Sequence, residues 1–363
     1  MTLQHKKVVV AMSGGVDSSV AAALLVEQGY EVIGIMMRLW SEPGSEESNR
    51  CCTPDAMALA RRVAARLHIP FYALDAQEKF YQVVVNYFID GYTQNITPNP
   101  CLACNRQIRW EYLLNHSLTL GADALATGHY VRLRESSSGN IELLRGLDLA
   151  KDQSYILHIL SQEKLAHALF PVGEFTKPQI RELARKFNLP VAERPDSQDL
   201  CFLAGGDYRG FLARHVPQLI QPGPIMNLQG EIIGQHKGAA YYTIGQRKGL
   251  GIASSVPLYV LSKIVEQNSI VVGPADALGQ SELTANHVNW ISGQITTQAF
   301  RAQVKIRYKS HDEWGVISFI ENDRIHIKFD RPLRDITPGQ VVVIYNNEVC
   351  LGGGVIETPG LQS

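Results

Sequence analysis

The chain has 363 residues, 45% of them hydrophobic and 19% charged, with a formal net charge of −1. This is the composition of an ordinary globular protein, and its length predicts two or three domains rather than one core. A net charge this close to zero does not attract nucleic acid over the whole surface, so any RNA site must come from local clusters. The sequence contains no apolar run of the ~18 residues that a membrane helix needs, so we expect a cytoplasmic protein with no membrane or DNA partner.

The first 130 residues alternate predicted strands with predicted helices. The strands are expected at 7–12, 31–38, 71–74 and 124–129, and the helices at 18–28, 54–68, 77–90 and 108–120. This alternation is typical of a doubly wound parallel sheet, whose ligands bind at the carboxyl ends of its strands. We therefore predict an α/β protein with an N-terminal nucleotide-binding domain of this type.

The rest of the chain changes character twice. Residues 131–148 read as an inserted hairpin, and residues 155–189 return to a helical pattern. The pattern changes from about residue 206, and residues 220–255 are glycine-rich and short-stranded. Short alternating strands separated by turns such as Asn322-Asp323 run from about 280 to 357, which is typical of a small β-barrel. The expected domains are a catalytic domain at 1–205, a small central mixed domain at 206–279 and a C-terminal β-barrel at 280–363.

The segment 13–19 reads Ser-Gly-Gly-Val-Asp-Ser-Ser and connects the first predicted strand to the first predicted helix. Gly14 and Gly15 allow backbone N–H groups to converge, and the following helix turns its positive end toward an anion. The serine hydroxyls add donors, and Asp17 is placed to hold Mg²⁺ against phosphates. This pattern predicts a phosphate site; an ordinary glycine turn is the alternative.

The same loop lacks the Gly-Lys-Ser/Thr of a Walker A motif and the spacing of a dinucleotide fingerprint. It resembles the pyrophosphate-binding loop of the ATP-pyrophosphatase families. That resemblance implies that ATP is cleaved between its α- and β-phosphates and that a substrate oxygen is adenylated.

Six cysteines are too few for a disulfide scaffold in a chain of this length, so they are read as structural thiols, metal ligands or catalysts. Cys101 and Cys104 precede a predicted helix, whose dipole and nearby arginines favour a thiolate at Cys104. A structural zinc site needs four ligands, and the adjacent Cys51-Cys52 form an awkward second pair. Sulfur chemistry between this pair and the distant Cys201, or an iron–sulfur cluster on the three thiols, are the other readings.

The ordered set of motifs closely resembles the tRNA-specific 2-thiouridylases over essentially the whole chain. The resemblance is carried by Ala11–Ser19, Thr97–Pro100 with Cys104-Asn105, Ala126–Tyr130, Lys151–Tyr155, Asp196-Ser197-Gln198 with Cys201-Phe202, and Tyr242–Gly251. It implies ATP-dependent thiolation of the wobble uridine in the tRNA anticodon loop. The sulfur comes from a protein persulfide, loaded by a sulfur carrier or a cysteine desulfurase.

By residue matching, this resemblance implies three groups of site residues. Cys104 is the catalytic nucleophile and Cys201 carries the persulfide, so that a disulfide between them closes the reaction. ATP is bound by Ala11, Met12, Ser13, Gly14, Gly15, Val16, Asp17, Ser18, Met37 and Gly128. The tRNA is contacted by Asn99, Pro100, Cys101, His129, Lys151, Asp152, Gln153, Arg307, Tyr308 and Gln340.

One position departs from part of the family. Cys101 stands where some members have an aspartate to which acid–base work is assigned. Either the thiol takes over that work, or Cys101, Cys104 and Cys201 hold a [4Fe-4S] cluster and the persulfide roles change. We favour the persulfide route, because the cluster reading depends only on counting thiols.

Two basic stretches are candidates for RNA binding. Residues 232–265 contain four basic residues interleaved with Tyr241 and Tyr242, and a strand over Ala302–Tyr308 places Lys305 and Arg307 on one face. The alternative is the solvated face of a β-barrel.

Two other functions also compete with thiolation: an ATP-pyrophosphatase ligase acting on a small substrate, which needs no cysteine, and a nucleotide-sensing RNA-binding protein without chemistry.

Overall fold

The computed structural model describes residues 6–43, 53–195, 200–203, 207–294, 298–321 and 323–358. Three features used above lie outside the described residues: the Cys51-Cys52 pair, the Asp196-Ser197-Gln198 motif and Asn322 of the expected turn.

Helices and strands alternate in the N-terminal part of the chain. In chain order they are β1 (Lys7–Ala11), α1 (Val16–Glu27), β2 (Glu31–Arg38), α2 (Pro54–Leu67), β3 (Phe71–Asp75), α3 (Gln77–Phe80), a π-helical run (Tyr81–Val85), α4 (Asn86–Thr93), α5 (Pro100–Ala103), a second π-helical run (Cys104–Leu113), α6 (Leu114–Thr119), β4 (Ala124–Ala126), β5 (Val131–Glu135), β6 (Ile141–Arg145), α7 (Ser154–Leu157), α8 (Gln162–Ala166), β7 (Ala168–Leu169) and α9 (Lys177–Lys186).

Strands dominate the remainder. The elements are α10 (Tyr208–His215), β8 (Gly223–Met226), β9 (Ile232–His236), β10 (Tyr259–Ile264), β11 (Ser269–Gly273), β12 (Gln280–Trp290), β13 (Phe300–Lys305), β14 (Glu313–Glu321), β15 (Arg324–Leu333), β16 (Val341–Asn346) and β17 (Val349–Ile356), with short 3₁₀ turns at Pro217–Leu219, Ala239–Tyr241, Val265–Gln267 and Ala275–Leu278.

The first sheet has the strand order β3-β2-β1-β4-β7, and all its neighbouring strands are parallel. Val8, Val9 and Val10 are completely buried, because helices cover both faces of the central strand. The chain leaves β1 toward β2 on one side, and β4 lies on the other side, so the order reverses between β1 and β4. A crevice at such a switch point is where α/β sheets bind ligands. The predicted parallel, doubly wound fold is confirmed.

The C-terminal strands close into a barrel, as predicted. Strands β12-β15-β14-β13-β16-β17 follow one another, and pairing of β12 with β17 completes the circle. The predicted hairpin at 131–148 forms as β5 and β6, and β6 pairs with β17, so it extends the barrel sheet. Arg145 of the hairpin lies 3.6 Å from the ring centroid of Tyr345 and bonds Asp312 at 2.7 Å. These contacts fix the barrel against the parallel-sheet domain.

Several predicted boundaries were wrong. The helix expected from residue 108 begins at Pro100, because Pro is well suited to the first turn of a helix. The strand expected to reach His129 ends at Ala126, since the Thr127 hydroxyl bonds the His129 ring in a turn instead of continuing the ladder. The strand expected to reach Tyr308 ends at Lys305, where Ser310 closes a turn on Arg307. Strands β7 and β12 were not predicted.

No helix in the described part of the chain has the length and apolar character needed to span a membrane.

Candidate nucleotide and thiol site

The Ser13–Ser19 loop fills the crevice between β1 and β4. Gly14 has φ +69°, and a Cβ there would lie 2.5 Å from the carbonyl oxygen of Ala56, so this position requires glycine. The Ser18 hydroxyl accepts from the Ser13 backbone N–H at 3.2 Å, and the Ser19 hydroxyl donates to the Gly15 carbonyl at 2.7 Å. The loop is therefore held at both ends around the start of α1, as an anion site at a helix N-terminus requires.

Gly128 closes the other side of the crevice. A Cβ at this position would lie 2.6 Å from the Ser18 backbone nitrogen. The turn after β4 thus contacts the first turn of α1 directly. Gly128, expected from sequence among the nucleotide-binding residues, is placed beside the phosphate loop.

Two residues that the sequence analysis did not assign to the site surround the Asp17 carboxylate. Lys177 Nζ donates to its two oxygens at 2.7 and 2.9 Å, and the Tyr130 hydroxyl donates to Oδ1 at 2.7 Å. The Lys177 side chain is only 11% exposed. Lys177 is the first residue of α9, where the helix dipole disfavours a cation. A lysine at that unfavourable position was the sequence signal for a second role.

Arg194 brings a second cation to the loop. One of its guanidinium nitrogens donates to the Gly14 carbonyl at 2.7 Å. Lys177 and Arg194 therefore flank the crevice with positive charge that a polyphosphate would complement. Mg²⁺ usually takes one or two carboxylates together with substrate phosphates, and Asp17 is the carboxylate at this position. Both of its oxygens accept from Lys177, so the ion would bind Asp17 only by displacing the lysine.

The two thiols expected to react lie in one apolar cluster. Cys104 is 5% exposed and packs in the core that contains Phe202, and Cys201 and Met37 pack against the same core. Met37, at the end of β2, also contacts the neighbouring core of the parallel sheet. Residues distant in sequence thus share one apolar core. The fold brings together Cys104, Cys201 and the expected ATP residue Met37.

The helix that carries the thiols starts earlier than predicted. Cys101 lies in its first turn and is exposed, whereas Cys104 lies one turn further in, where π-helical backbone begins. The dipole acts mainly on the first turn, so the argument made for Cys104 applies more strongly to Cys101. Asn105 donates to the Cys101 carbonyl at 2.9 Å and accepts from Arg109 at 3.1 Å, which fixes this turn.

The iron–sulfur reading does not fit this geometry. Among the described residues, which include Cys101, Cys104 and Cys201, no group of three or more His, Cys, Asp or Glu side chains is spaced to hold a metal ion. The four described cysteines form no disulfide with one another. We derive no step through a cluster.

Three of the expected tRNA contacts lie where the barrel meets the loop that leads to the thiols. Gln340 donates through its side-chain amide to the Thr97 carbonyl at 2.8 Å. Arg307 donates to the Ile244 carbonyl at 3.1 Å and to the Thr337 hydroxyl. Tyr308 is 39% exposed, and Cys101 is close enough to contribute, after burial and Asp152, to the raised pKa of its phenol. This border therefore combines an exposed aromatic ring with Asn99, Pro100 and Cys101.

Other expected tRNA contacts are engaged inside the protein. Asp152 is 4% exposed and accepts from the backbone of Gly146 and Ser154, each at 3.1 Å. The Gln153 side chain accepts from the Tyr130 N–H at 3.0 Å. Lys151 is partly exposed, and its backbone N–H donates to the Asp148 carbonyl at 2.9 Å. Lys263 of the central basic stretch is a different case, because its buried Nζ has no hydrogen-bond partner among the described residues and burial lowers its pKa to about 8.

His129 is buried and held by a 2.8 Å hydrogen bond between its Nδ1 and the Thr127 hydroxyl. Burial, with Arg109 nearby, lowers its pKa to about 3, and burial together with Arg106 lowers that of His158 to about 4 despite a bond to the Tyr155 carbonyl. Both rings are therefore neutral near neutral pH.

Acid is expected to destabilise the fold through these two rings. In the unfolded chain both imidazoles bind a proton at acid pH, whereas in the folded protein they stay neutral. The free energy of unfolding therefore falls as pH drops below about 6.5, and the two rings do not change it above that pH. At about pH 5 each ring costs about 2 kcal/mol. Thermal unfolding at about pH 7.5 and about pH 5 checks this expectation. In His129→Asn the decrease in Tm between the two pH values should be about half of that in the wild-type protein, because of these two rings only His158 is left to titrate in this way. An equal drop in the variant would exclude His129 as a cause.

Family models match all three parts of the chain. They are described as a tRNA methyl transferase HUP domain over residues 6–205, a tRNA methyl transferase PRC-barrel domain over 209–274 and an aminomethyltransferase beta-barrel domain over 280–356.

Curated relatives match nearly the whole chain. The chain is 47% identical to the tRNA-specific 2-thiouridylase MnmA of Carboxydothermus hydrogenoformans, covering 97% of this chain and 98% of the relative. It is 48% identical to the protein of the same name from Magnetococcus marinus, covering 97% and 99%.

Among solved structures, an NMN synthetase from Francisella tularensis matches with a TM-score of 0.35 and 18% identity over 53% of this chain and 66% of that one. A 4-thiouridine synthetase in complex with RNA and ATP matches with a TM-score of 0.34 and 16% identity over 59% and 51%. These structural likenesses are too weak to carry an argument. The full-length sequence matches decide the assignment: this chain belongs to the tRNA-specific 2-thiouridylase family.

Proposed function

We propose that this chain catalyses the ATP-dependent 2-thiolation of the wobble uridine in the anticodon loop of tRNA, in the cytoplasm. The observation that carries the proposal is the packing of Cys104, Cys201 and Met37 in or against one apolar cluster. Met37 lies on β2, which pairs with β1, the strand that leads into the Ser13–Ser19 loop. A candidate phosphate loop and two thiols in one cluster suit a reaction that first activates an oxygen and then replaces it with sulfur.

The first step is activation of the base. The loop, with Lys177 and Arg194, binds the pyrophosphate part of ATP, and the uridine O2 attacks the α-phosphorus to form a P–O bond while pyrophosphate leaves. Asp17, released from Lys177, would hold Mg²⁺ against the phosphates, and the ion would supply charge neutralisation there. The product is an adenylated base whose oxygen now leaves readily as part of AMP.

The second step brings in sulfur. The terminal sulfur of a persulfide on Cys201 attacks C2 of the base, and the C–O bond breaks to release AMP. Cys104 thiolate then attacks the Cys201 sulfur, which breaks the S–S bond, leaves one sulfur on C2 and joins Cys104 to Cys201 in a disulfide. A reducing thiol regenerates both groups, and a sulfur carrier or cysteine desulfurase reloads Cys201.

The descriptions of the family models refer to methyl transfer, whereas the relatives are named for thiolation. The residues of this chain favour thiolation, because methyl transfer requires neither a pyrophosphate loop nor two thiols in one cluster. For tRNA binding, we assign the base-facing role to Asn99, Pro100 and Cys101, and phosphate or stacking contacts to Lys151, Arg307 and Tyr308. His129, Asp152, Gln153 and Gln340, which the family resemblance also assigns to tRNA, bond other parts of this chain instead.

Turnover with matched tRNAs tests the proposal. With ATP, Mg²⁺ and a persulfide donor, we expect AMP and 2-thiouridine in equal amounts from a transcript with a wobble uridine. A transcript with a wobble cytidine should yield neither product. AMP formation that does not depend on tRNA would favour a ligase for a small substrate, and tRNA binding without AMP would favour a nucleotide sensor; either result contradicts the proposal.

A further inference from the structure

The loop that leads to the thiols is attached to the barrel through both backbone groups of one residue. The Thr97 N–H donates to the Pro338 carbonyl at 3.1 Å, and the Thr97 carbonyl accepts from the Gln340 side chain at 2.8 Å. The intervening Gly339 has φ +85°, and a Cβ there would lie 3.0 Å from both the Ile96 Cβ and the Thr97 oxygen. Two hydrogen bonds from the barrel segment therefore hold Thr97, and Gly339 packs closely against the same loop.

The opposite side of the same loop rests on α4. A Cβ on Gly91 would lie 2.6 Å from Pro98, and the Ile96 N–H donates to the Gly91 carbonyl at 3.0 Å. Asn99 then accepts from the Leu102 N–H at 3.0 Å, which starts the helix that carries Cys101 and Cys104. Any movement of Thr97 is transmitted over a few residues to the base-facing segment and the thiols.

The barrel residues that contact Thr97 are themselves attached to the central part of the chain, at Ile244 and Gly245. Arg307 bonds both Thr337 and the carbonyl of Ile244, and a Cβ on Gly245 would lie 2.0 Å from an Asp335 carboxylate oxygen. The Gln340 N–H bonds the Thr337 carbonyl at 3.2 Å. The segment Asp335–Gln340 is thus fixed at both ends before it reaches Thr97.

We propose that Gln340 is a positioning residue for the reaction: through Thr97 it sets the place of the Asn99–Cys101 segment and of Cys104. This inference rests on the proposed function and refines it, because the amide that family resemblance assigns to tRNA is used here to hold the loop. A misplacement of the reacting groups by about 1 Å can lower a rate by about 100-fold, so one such hydrogen bond is enough to matter.

Gln340→Met tests the proposal, since methionine has a similar length and cannot donate. We expect kcat for thiolation to fall about tenfold, with KM for tRNA and the tRNA Kd changed less than about twofold. Without tRNA, alkylation of Cys101 by iodoacetamide, read by peptide mass spectrometry, should become several-fold faster because its loop is released. Gln340→Glu, which also lacks the donor, should behave in the same way.

Gln303→Met on β13, which pairs with β16, is the matched control and should leave all four measurements unchanged: kcat, KM, tRNA Kd and Cys101 alkylation. A tenfold weaker tRNA Kd with unchanged alkylation would make Gln340 an RNA ligand and overturn the proposal, as would unchanged kcat and alkylation. A drop in Tm shared by Gln340→Met and Gln303→Met would leave the Cys101 difference as the deciding measurement. The alkylation measurement needs no turnover, so it separates failure of this proposal from failure of the proposed function.

Discussion

Lys177→Met is expected to lower tRNA-dependent AMP formation by about 100-fold, because preorganised charge at a reacting phosphate contributes an effect of this size. In the wild-type protein Lys177 donates to both oxygens of Asp17, and Arg194 contacts the loop at Gly14. Without the lysine, the crevice loses one of its two described cations, and the negative charge of Asp17 is no longer compensated by a side chain in the described part of the chain. The measurement is the rate of AMP and pyrophosphate release at saturating tRNA, with KM for ATP determined in parallel.

The chain offers a closely matched control on the same pair of helices. Lys186, at the other end of α9, bonds Glu27 at the far end of α1 at 3.0 Å, and both side chains are exposed. Lys186→Met removes a helix-to-helix ion pair without touching the loop, and exposed pairs contribute little to stability. Its AMP formation should stay within about twofold of the wild type. Equal rates of AMP formation in Lys177→Met and Lys186→Met would contradict a role for Lys177 in the reaction and leave it only a structural ion pair between α9 and α1.

Cys104→Ser and Cys201→Ser are each expected to reduce 2-thiouridine formation by about a thousandfold or more, because a hydroxyl cannot carry or resolve a persulfide. Release of pyrophosphate in the first turnover, which accompanies adenylation of the base, should persist within about tenfold, since the Ser13–Ser19 loop is intact. Product analysis by mass spectrometry of digested tRNA, alongside pyrophosphate release, checks both expectations.

Cys350→Ala is the control for cysteine loss in general. Cys350 is buried in the barrel sheet on β17, away from the cluster of Cys104, and burial raises the pKa of its thiol. Full thiolation by Cys104→Ser or Cys201→Ser would contradict the sulfur-transfer mechanism. Iron and acid-labile sulfide in anaerobically purified wild-type protein would instead restore the cluster reading for Cys101, Cys104 and Cys201.

The sequence was informative wherever a local pattern has one structural solution. Alternating strands and helices, with Gly14 in a tight turn before α1, determined the parallel sheet and its phosphate loop, because backbone geometry there depends on adjacent residues. The predicted roles of the residues in the loop and at the thiols stay predictions that the experiments above address.

The tertiary structure decided which distant residues meet. Nothing local in Thr176-Lys177-Pro178 indicates Asp17, and nothing near Gln340 indicates Thr97, because both contacts arise only when separate elements pack. The same holds for the hairpin strand β6, which joins the barrel through β17. By itself the sequence determined the fold class and the glycine turn of the Ser13–Ser19 loop, and it named the thiols, since these follow from local backbone preference and residue chemistry. Only the tertiary structure showed that Lys177 pairs with Asp17 and that Gln340 of the barrel bonds Thr97, in the loop before Cys101 and Cys104, since such contacts depend on packing between distant segments.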